Sequence, residues 1–185
     1  MNLTRFDIEG PVLIETRRFT DARGFFSEVW KAASHAEIGI TASFVQDNHS
    51  LSRPKGTVRG LHYQRPPTAQ GKLVRCVRGA ILDVAVDIRR GSATFGRFVA
   101  VELSAENWKQ LWIPRGFAHA FCTLTEDTEV LYKVDAPYDP ATDAAIRFDD
   151  PAIGIPWPIP ADEALLSDKD RAAPLLADAL IPEAW

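Results

Sequence analysis

Basic residues are not in excess in this chain of 185 residues. Lys and Arg total 21 against 25 Asp and Glu, a formal net charge of −4. A mildly acidic chain has no bulk electrostatic reason to coat nucleic acid or an anionic membrane, so any anion site must be local. Long apolar runs are also missing: none reaches the roughly 18 residues that a membrane helix needs. The first residues, MNLTRFDIEG, have no basic start followed by an apolar stretch, so no secretory signal is expected. Cysteine is scarce. Cys76 and Cys122 both lie inside apolar, strand-like segments and make neither a disulfide framework nor zinc-finger spacing. They are expected to be reduced core residues of a cytoplasmic protein. Helix-forming stretches are few, and no repeat or low-complexity tract is present.

What the chain has in quantity is short strand-like runs punctuated by Gly, Pro and Asp. They are 11–16, 43–49, 57–64, 72–78, 80–88, 97–103, 109–113, 117–124 and 128–134. A spacing of roughly 8–12 residues with turn signals between predicts an all-β sandwich or barrel. No linker divides two cores, so residues 1–185 read as one domain. Period-2 alternation assigns faces. Leu82, Val84, Val86 and Ile88 share one side of their strand, Asp83 and Asp87 the other. Phe117, His119 and Phe121 share a face, which sets a polar ring among apolar ones. Gln46 and Asn48 lie on one side of 43–49 and Asp47 on the other. A helix is expected over 27–38, ended by Gly39, and a second over 168–180, capped by Ser167. Residues 151–160, with four prolines, must be extended loop.

Two constellations carry chemistry. GTVRGLHYQ at 56–64 and PRGFAHAF at 114–121 together resemble the two signature motifs of the cupin superfamily. This implies a double-stranded β jelly roll with short N-terminal and C-terminal helices. Metal-binding cupins usually supply His-x-His and a Glu in the first motif and one His in the second. Here Gln64 stands at the second histidine position and no Glu follows before Gly71. Only His62 and His119 remain, too few for a typical divalent site, so no metal is expected and His62 is free to act as a base. Arg59 and His62 have opposite parity in an ideal strand. A bulge at Gly60 would bring both into one cavity. Tyr132 sits between Val130 and Val134 on one strand face, where a tyrosine is either core or a proton donor. Ser167-x-x-Asp170 is a capping-box pattern, and Asp170 is also suited to hold a histidine tautomer. Both readings stand. Arg23 in DARGFFSEVW is either a solvated turn residue or a phosphate clamp.

DARGFFSE, FVQDNHS, VRGLHYQ, GKLVRCVRG, SAENWKQLWIPRGFAHAF, LYKVDAPYDP and LSDKD resemble, in order, the signature blocks of dTDP-4-dehydrorhamnose 3,5-epimerases. The resemblance runs from about residue 5 to about residue 172. It implies a cupin-type jelly roll that works without metal or cofactor, as a homodimer, on a dTDP-sugar. Carried over position by position, His62 matches the general base, Asp170 its partner, Tyr132 the proton donor on the opposite face of the sugar, and Lys72 the lysine beside the 4-keto oxygen. Arg23, Glu28, Gln46, Asp47, Asn48, Arg59, His119 and Lys169 match residues lining the nucleotide-sugar site. Tyr138 matches the aromatic that stacks on thymine. Asp143 stands where the family often has Glu. Arg23 is expected to reach the neighbouring subunit's site.

The implied reaction inverts C3 and C5 of dTDP-4-dehydro-6-deoxy-D-glucose. Both carbons flank the C4 ketone, so each centre needs a base on one face, a charge for the enolate oxygen and an acid on the other face. The alternatives are an epimerase of one centre only, a non-catalytic sugar-binding cupin, and a metal-dependent cupin that Gln64 argues against.

Overall fold

A strand that is apolar on both faces has to be covered on both sides, and much of this chain's architecture follows from that need. The computed structural model describes residues 1–185. In chain order the elements are β1 (Asn2–Arg5), β2 (Val12–Glu15), β3 (Phe19–Asp21), β4 (Gly24–Phe26), α1 (Ala32–Ala36), β5 (Gln46–Ser52), β6 (Val58–Gln64), β7 (Lys72–Arg78), β8 (Ala80–Asp87), β9 (Phe98–Ser104), β10 (Lys109–Ile113), β11 (Phe117–Thr123), β12 (Thr128–Val134), β13 (Asp143–Ala145) and α2 (Asp168–Arg171). A six-stranded sheet runs β1-β2-β10-β7-β12-β5. A five-stranded sheet runs β13-β6-β11-β8-β9, and β3 and β4 form a separate hairpin. All of these strand pairings are antiparallel. This is the jelly-roll class expected. No helix is long and apolar enough to cross a membrane.

The two sheets pack face to face through Val74, Ile81, Ala85, Leu103, Leu111, Phe117, Phe121 and Val130. Burying each Val, Leu, Ile or Phe among them stabilises the fold by about 1.5–3 kcal/mol. The outer face of the five-stranded sheet is not left to solvent. Val84, Val86, Ile88 and Ala118 lie under Ile146, Ile153, Ile155 and Ile181. The predicted alternation in 80–88 therefore holds, with Asp83 turned inward between the sheets and the apolar side turned out beneath the C-terminal segment. The outer face of the other sheet, at Val12, Ile14, Leu73 and Trp112, is covered by Trp30, Ile38, Ile40 and Phe44.

Helix is even scarcer than the sequence suggests. The helix expected over 27–38 is confined to Ala32–Ala36. Tertiary partners hold the preceding residues flat: Ser27 Oγ donates to Arg17 O, and Gln110 Nε2 donates to Val29 O. Gly39, at φ +90°, ends the turn as expected. The helix expected over 168–180 stops at Arg171. Pro174 cannot donate to a continuing helix. Beyond it the backbone turns to outside partners, with Arg147 N–H on Pro174 O and Leu176 N–H on an Asp150 carboxylate oxygen. The strand expected at 43–49 is shifted, starting at Gln46 and ending at Ser52. The short strands β1, β3, β4 and β13 were not anticipated from the pattern. Residues 151–160 contain no helix or strand, as their prolines require.

The irregularity at Gly60 is real and consequential. His62 pairs with His119, but Arg59 pairs with Phe121, so three steps on β6 oppose two on β11. Gly60 sits at φ +124°, and a Cβ there would lie 2.3 Å from His119 O and 2.6 Å from Ala120 Cα. Only glycine fits. Gly60→Ala is expected to cost about 3 kcal/mol or more, because β11 backbone, not a flexible side chain, would have to move. Urea unfolding checks this; a midpoint equal to wild type would show that the bulge tolerates a side chain.

Candidate active site

The bulge turns Arg59 and His62 toward one opening between the sheets. That opening has two lobes. One, about 500 Å³, is lined by Ser50, Pro54, Thr57, Val58, Arg59, His119, Phe121, Leu165, Leu166, Ser167 and Asp170. The other, about 400 Å³, is lined by Gln46, Asn48, Tyr63, Gln64, Gln70, Tyr138, Asp143 and Lys169. His62, Lys72 and Tyr132 belong to both, so they stand where the lobes meet. His62 projects from β6 in the five-stranded sheet, while Tyr132 on β12 and Lys72 on β7 project from the six-stranded sheet. Base and acid candidates thus occupy opposite walls.

His62 is one third exposed, and its Nε2 lies 2.5 Å from Oδ1 of Asp170, which is 3% exposed. Burial works against ionisation of Asp170. The hydrogen bond and charge from His62, with Ser167 and the Gly60 backbone, outweigh it and hold the carboxyl below its ordinary range. An ionised carboxylate only accepts, so His62 Nε2 carries the proton and donates it, leaving Nδ1 as the basic nitrogen. The two sequence readings of Asp170 prove compatible. Its backbone N–H donates to the Ser167 hydroxyl and caps α2 at 3.1 Å, while its side chain serves His62.

Lys72 is almost buried, and its Nζ lies 3.5 Å from His62 O. Burial pulls its pKa down to about 8, against support from the carboxylates of Asp83 and Asp143. The half-buried Tyr132 has its phenol pushed up by burial, opposed by the Arg59 charge. The Arg59 guanidinium is oriented by Ser52 Oγ, to which its Nε donates at 3.1 Å, and by Leu51 O. His119, buried, has Nε2 2.7 Å from Asp83 Oδ1. In the second lobe the Tyr138 ring is exposed at the rim. Its N–H donates to Gln46 Oε1 and its hydroxyl to Asp143, which also meets the Lys169 ammonium. Gln64, at the position of the missing histidine ligand, is fully engaged in structure. Its amide donates to Thr68 O and Pro137 O, and its oxygen accepts from Asp139 N–H.

The structure does not bring every expected residue to this opening. Asp47 points away from it, as its parity on β5 dictates, and pairs with Lys133 at 2.8 Å. Arg23 sits in the β3–β4 hairpin, exposed and paired with Asp21 at 2.6 Å. Glu28 is exposed, with Lys31 at 4.0 Å. Sequence reasoning missed Asp83 as the buried partner of His119. The signal was present, since a carboxylate in the middle of an apolar strand needs a buried partner. It also missed Ser52, whose hydroxyl aims Arg59.

The sequence model of the dTDP-4-dehydrorhamnose 3,5-epimerases matches residues 5–178. A dTDP-4-dehydrorhamnose 3,5-epimerase of Sinorhizobium fredii is 54% identical over 170 residues, 90% of this chain and 85% of that one. The crystal structure of a dTDP-6-deoxy-D-glucose-3,5-epimerase from Legionella pneumophila, in complex with dTDP-4-keto-L-rhamnose, is 46% identical. It superposes with a TM-score of 0.91 over 98% of this chain and 94% of that one. A 3'-monoepimerase from Streptomyces bikiniensis in complex with dTDP-quinovose is 38% identical, with a TM-score of 0.86 over 93% and 86% of the two chains. A match over nearly the whole length and on the same fold leaves one assignment: this chain belongs to the dTDP-4-dehydrorhamnose 3,5-epimerase family.

Proposed function

We propose that this chain inverts C3 and C5 of dTDP-4-dehydro-6-deoxy-D-glucose, giving dTDP-4-dehydro-L-rhamnose, with the following division of labour. His62 Nδ1 removes the proton from each carbon, and Asp170 stabilises the imidazolium that results. Lys72 meets the oxyanion that develops on O4 as the enolate forms. Tyr132 returns a proton from the opposite wall. The observation that carries this reading is the placement of His62 and Tyr132 on different sheets with the Lys72 ammonium between the lobes. Retention at a carbon needs one face; inversion needs two. The second lobe takes the nucleotide, with thymine against the exposed Tyr138 ring and Gln46, Asn48, Asp143 and Lys169 around it. Arg59 and His119 line the sugar end.

A homodimer completes the site in this reading. Arg23 and Glu28 lie outside their own cavity, and the hairpin that carries Arg23 exposes Phe19, Phe25 and Phe26. Sedimentation is expected to give twice the chain mass, and a monomer that turns over normally would remove the partner from the site. The two thiols are buried and unpaired, which suits the cytoplasm.

The test of the function is deuterium exchange. Incubated with dTDP-4-dehydro-6-deoxy-D-glucose in D₂O without a reductase, the protein is expected to exchange at both C3 and C5, read by NMR. Exchange at one carbon makes it a single-centre epimerase like the Streptomyces bikiniensis relative. Binding with exchange at neither leaves a sugar-binding protein.

Asp170→Asn separates the two duties of that residue. The backbone cap on Ser167 survives, so the melting temperature is expected to move little. The amide can donate to His62 Nε2, which puts the ring proton on Nδ1 and removes the base, so kcat falls by about 10²-fold or more. An unchanged kcat would reduce Asp170 to a helix cap.

A further inference from the structure

A second histidine–carboxylate pair stands beside the first, and the reaction as outlined gives it no task beyond lining the sugar end. His119 pairs in register with His62 across β11 and β6, and its Nε2 is 2.7 Å from Asp83 Oδ1. This pair is deeper than the catalytic one: the side chains of His119 and Asp83 are 7% and 0% exposed. A carboxylate so placed has a use that outweighs the cost of burying it. Asp83 Oδ2, moreover, has no hydrogen-bond partner at all.

We propose that Asp83 is a positioning residue that fixes His119 as the Nε2–H tautomer, so that His119 Nδ1 accepts a hydrogen bond from a hydroxyl of the bound sugar. The inference rests on the site being that of the epimerase. An ionised carboxylate cannot donate, so the nitrogen facing Asp83 must. Nδ1 has no partner within the protein and is the nitrogen left to a ligand. Burial disfavours the imidazolium, and although Asp83 opposes this, the neighbouring Lys72 and His62 add to it, so the ring is held below its ordinary pKa. A neutral ring with Nε2 protonated presents only a lone pair to the cavity. A ketone oxygen is an acceptor too, so C4=O cannot pair with it. A sugar hydroxyl can. Lys72, not His119, is then the donor to O4, and His119 selects for a hydroxyl next to the reacting carbons.

The orphan Oδ2 fits the same assignment. Among the charges that act on the Lys72 ammonium (Asp83, Asp143 and Lys169), Asp83 gives the largest support. A carboxylate is therefore required there, and an amide is not equivalent. In Asp83→Asn, an amide oxygen facing His119 would leave the NH₂ in the positive field of Lys72. The flipped amide, donating to Nε2, is preferred and moves the ring proton to Nδ1.

The test combines spectroscopy and binding. The chain has four histidines, and loss of one signal set in His119→Asn assigns His119 in long-range ¹⁵N–¹H spectra. In the wild type at pH 7, Nε2 is expected to be protonated and Nδ1 unprotonated, and Nδ1 is expected to shift on adding dTDP-glucose, which has the hydroxyls but no ketone, and not on adding dTDP. Asp83→Asn is expected to bind dTDP-glucose about tenfold or more weakly, because a buried donor and acceptor are mismatched. Its dTDP affinity stays within about twofold, and the alkaline limb of kcat/KM moves to lower pH. An Nδ1–H tautomer or an imidazolium in the wild type at pH 7 overturns the proposal, without needing the variant to fold. So does an equal loss of dTDP and dTDP-glucose binding. Absence of wild-type exchange at C3 and C5 would instead remove the epimerase reading, while the tautomer measurement would still report on Asp83.

Discussion

Replacing His62 by Ala is expected to lower kcat/KM by at least about 10²-fold and to reduce deuterium exchange at C3 and C5 together, because one nitrogen serves both carbons. The common loss is the informative part. Both protons flank one ketone, and of the two carboxylate-paired imidazoles in the cavity only that of His62 is partly exposed. If each carbon had its own base, one exchange would survive. Alanine also strands Asp170, a carboxylate at 3% exposure, without its hydrogen-bond donor. Loss of a buried partner is destabilising in its own right, by several kcal/mol where the charge is left uncompensated. Activity and fold would then fall together. His62→Gln separates them: its amide can donate to Asp170 yet has no basic nitrogen. The expectation is a melting temperature nearer to wild type than that of His62→Ala, with activity as low. A His62→Gln protein within tenfold of wild-type kcat/KM would end the assignment of His62 as base.

How the site reads from the sequence depends on how local each relation is. The β-strand alternation put Gln46 and Asn48 on one face and Asp47 on the other, and the structure turns the first face to the cavity, even though the family resemblance groups all three. The Gly60 bulge was legible because parity and shared purpose conflicted there, and a glycine stood at the conflict. Asp170 was legible as a cap and ambiguous as a partner, since its 108-residue separation from His62 leaves no local trace. Asp83 was visible only as an oddity in an apolar strand. Its meaning needs the register of β8 against β11, where Asp83 faces Phe121 and reaches diagonally to His119. The two long helices failed for the same reason in reverse. Local propensity in 27–38 and 168–180 is adequate, but backbone groups there find tertiary partners on Gln110, Arg147 and Asp150 that helix would deny them. Arg23 and Glu28 belong to no pocket of their own chain around the reacting groups, so neither parity nor register within one copy could place them.

Lys72→Met is expected to cost about 10²–10³-fold in kcat, the usual effect of losing one preorganised donor to an oxyanion, about 3–4 kcal/mol. Two demands compete at this residue. The enolate needs an ammonium, and a dry surrounding makes that charge worth more to it than water would. The same dryness penalises the ammonium in the free enzyme and pulls its pKa to about 8, in spite of Asp83 and Asp143. The protein keeps Lys72 charged by a narrow margin at neutral pH. The sign of the pH dependence follows. The protonated form of Lys72 is the active one, so kcat/KM is expected to hold just below pH 8 and to decline as pH rises through about 8. Lysine in water would sustain activity to about pH 10. Lys72→Arg retains a charge throughout that range and is expected to lose the limb near pH 8. Its rate should still be low, because a planar fork does not fit a site built around a nearly buried primary amine. A Lys72→Arg profile that keeps the wild-type limb would assign that limb to another group. A Lys72→Met enzyme with near-normal kcat would move the oxyanion donor elsewhere. The combination expected here, a lost limb in one variant and a lost rate in both, ties the stabilisation of the enolate to a single ammonium held close to its own titration point.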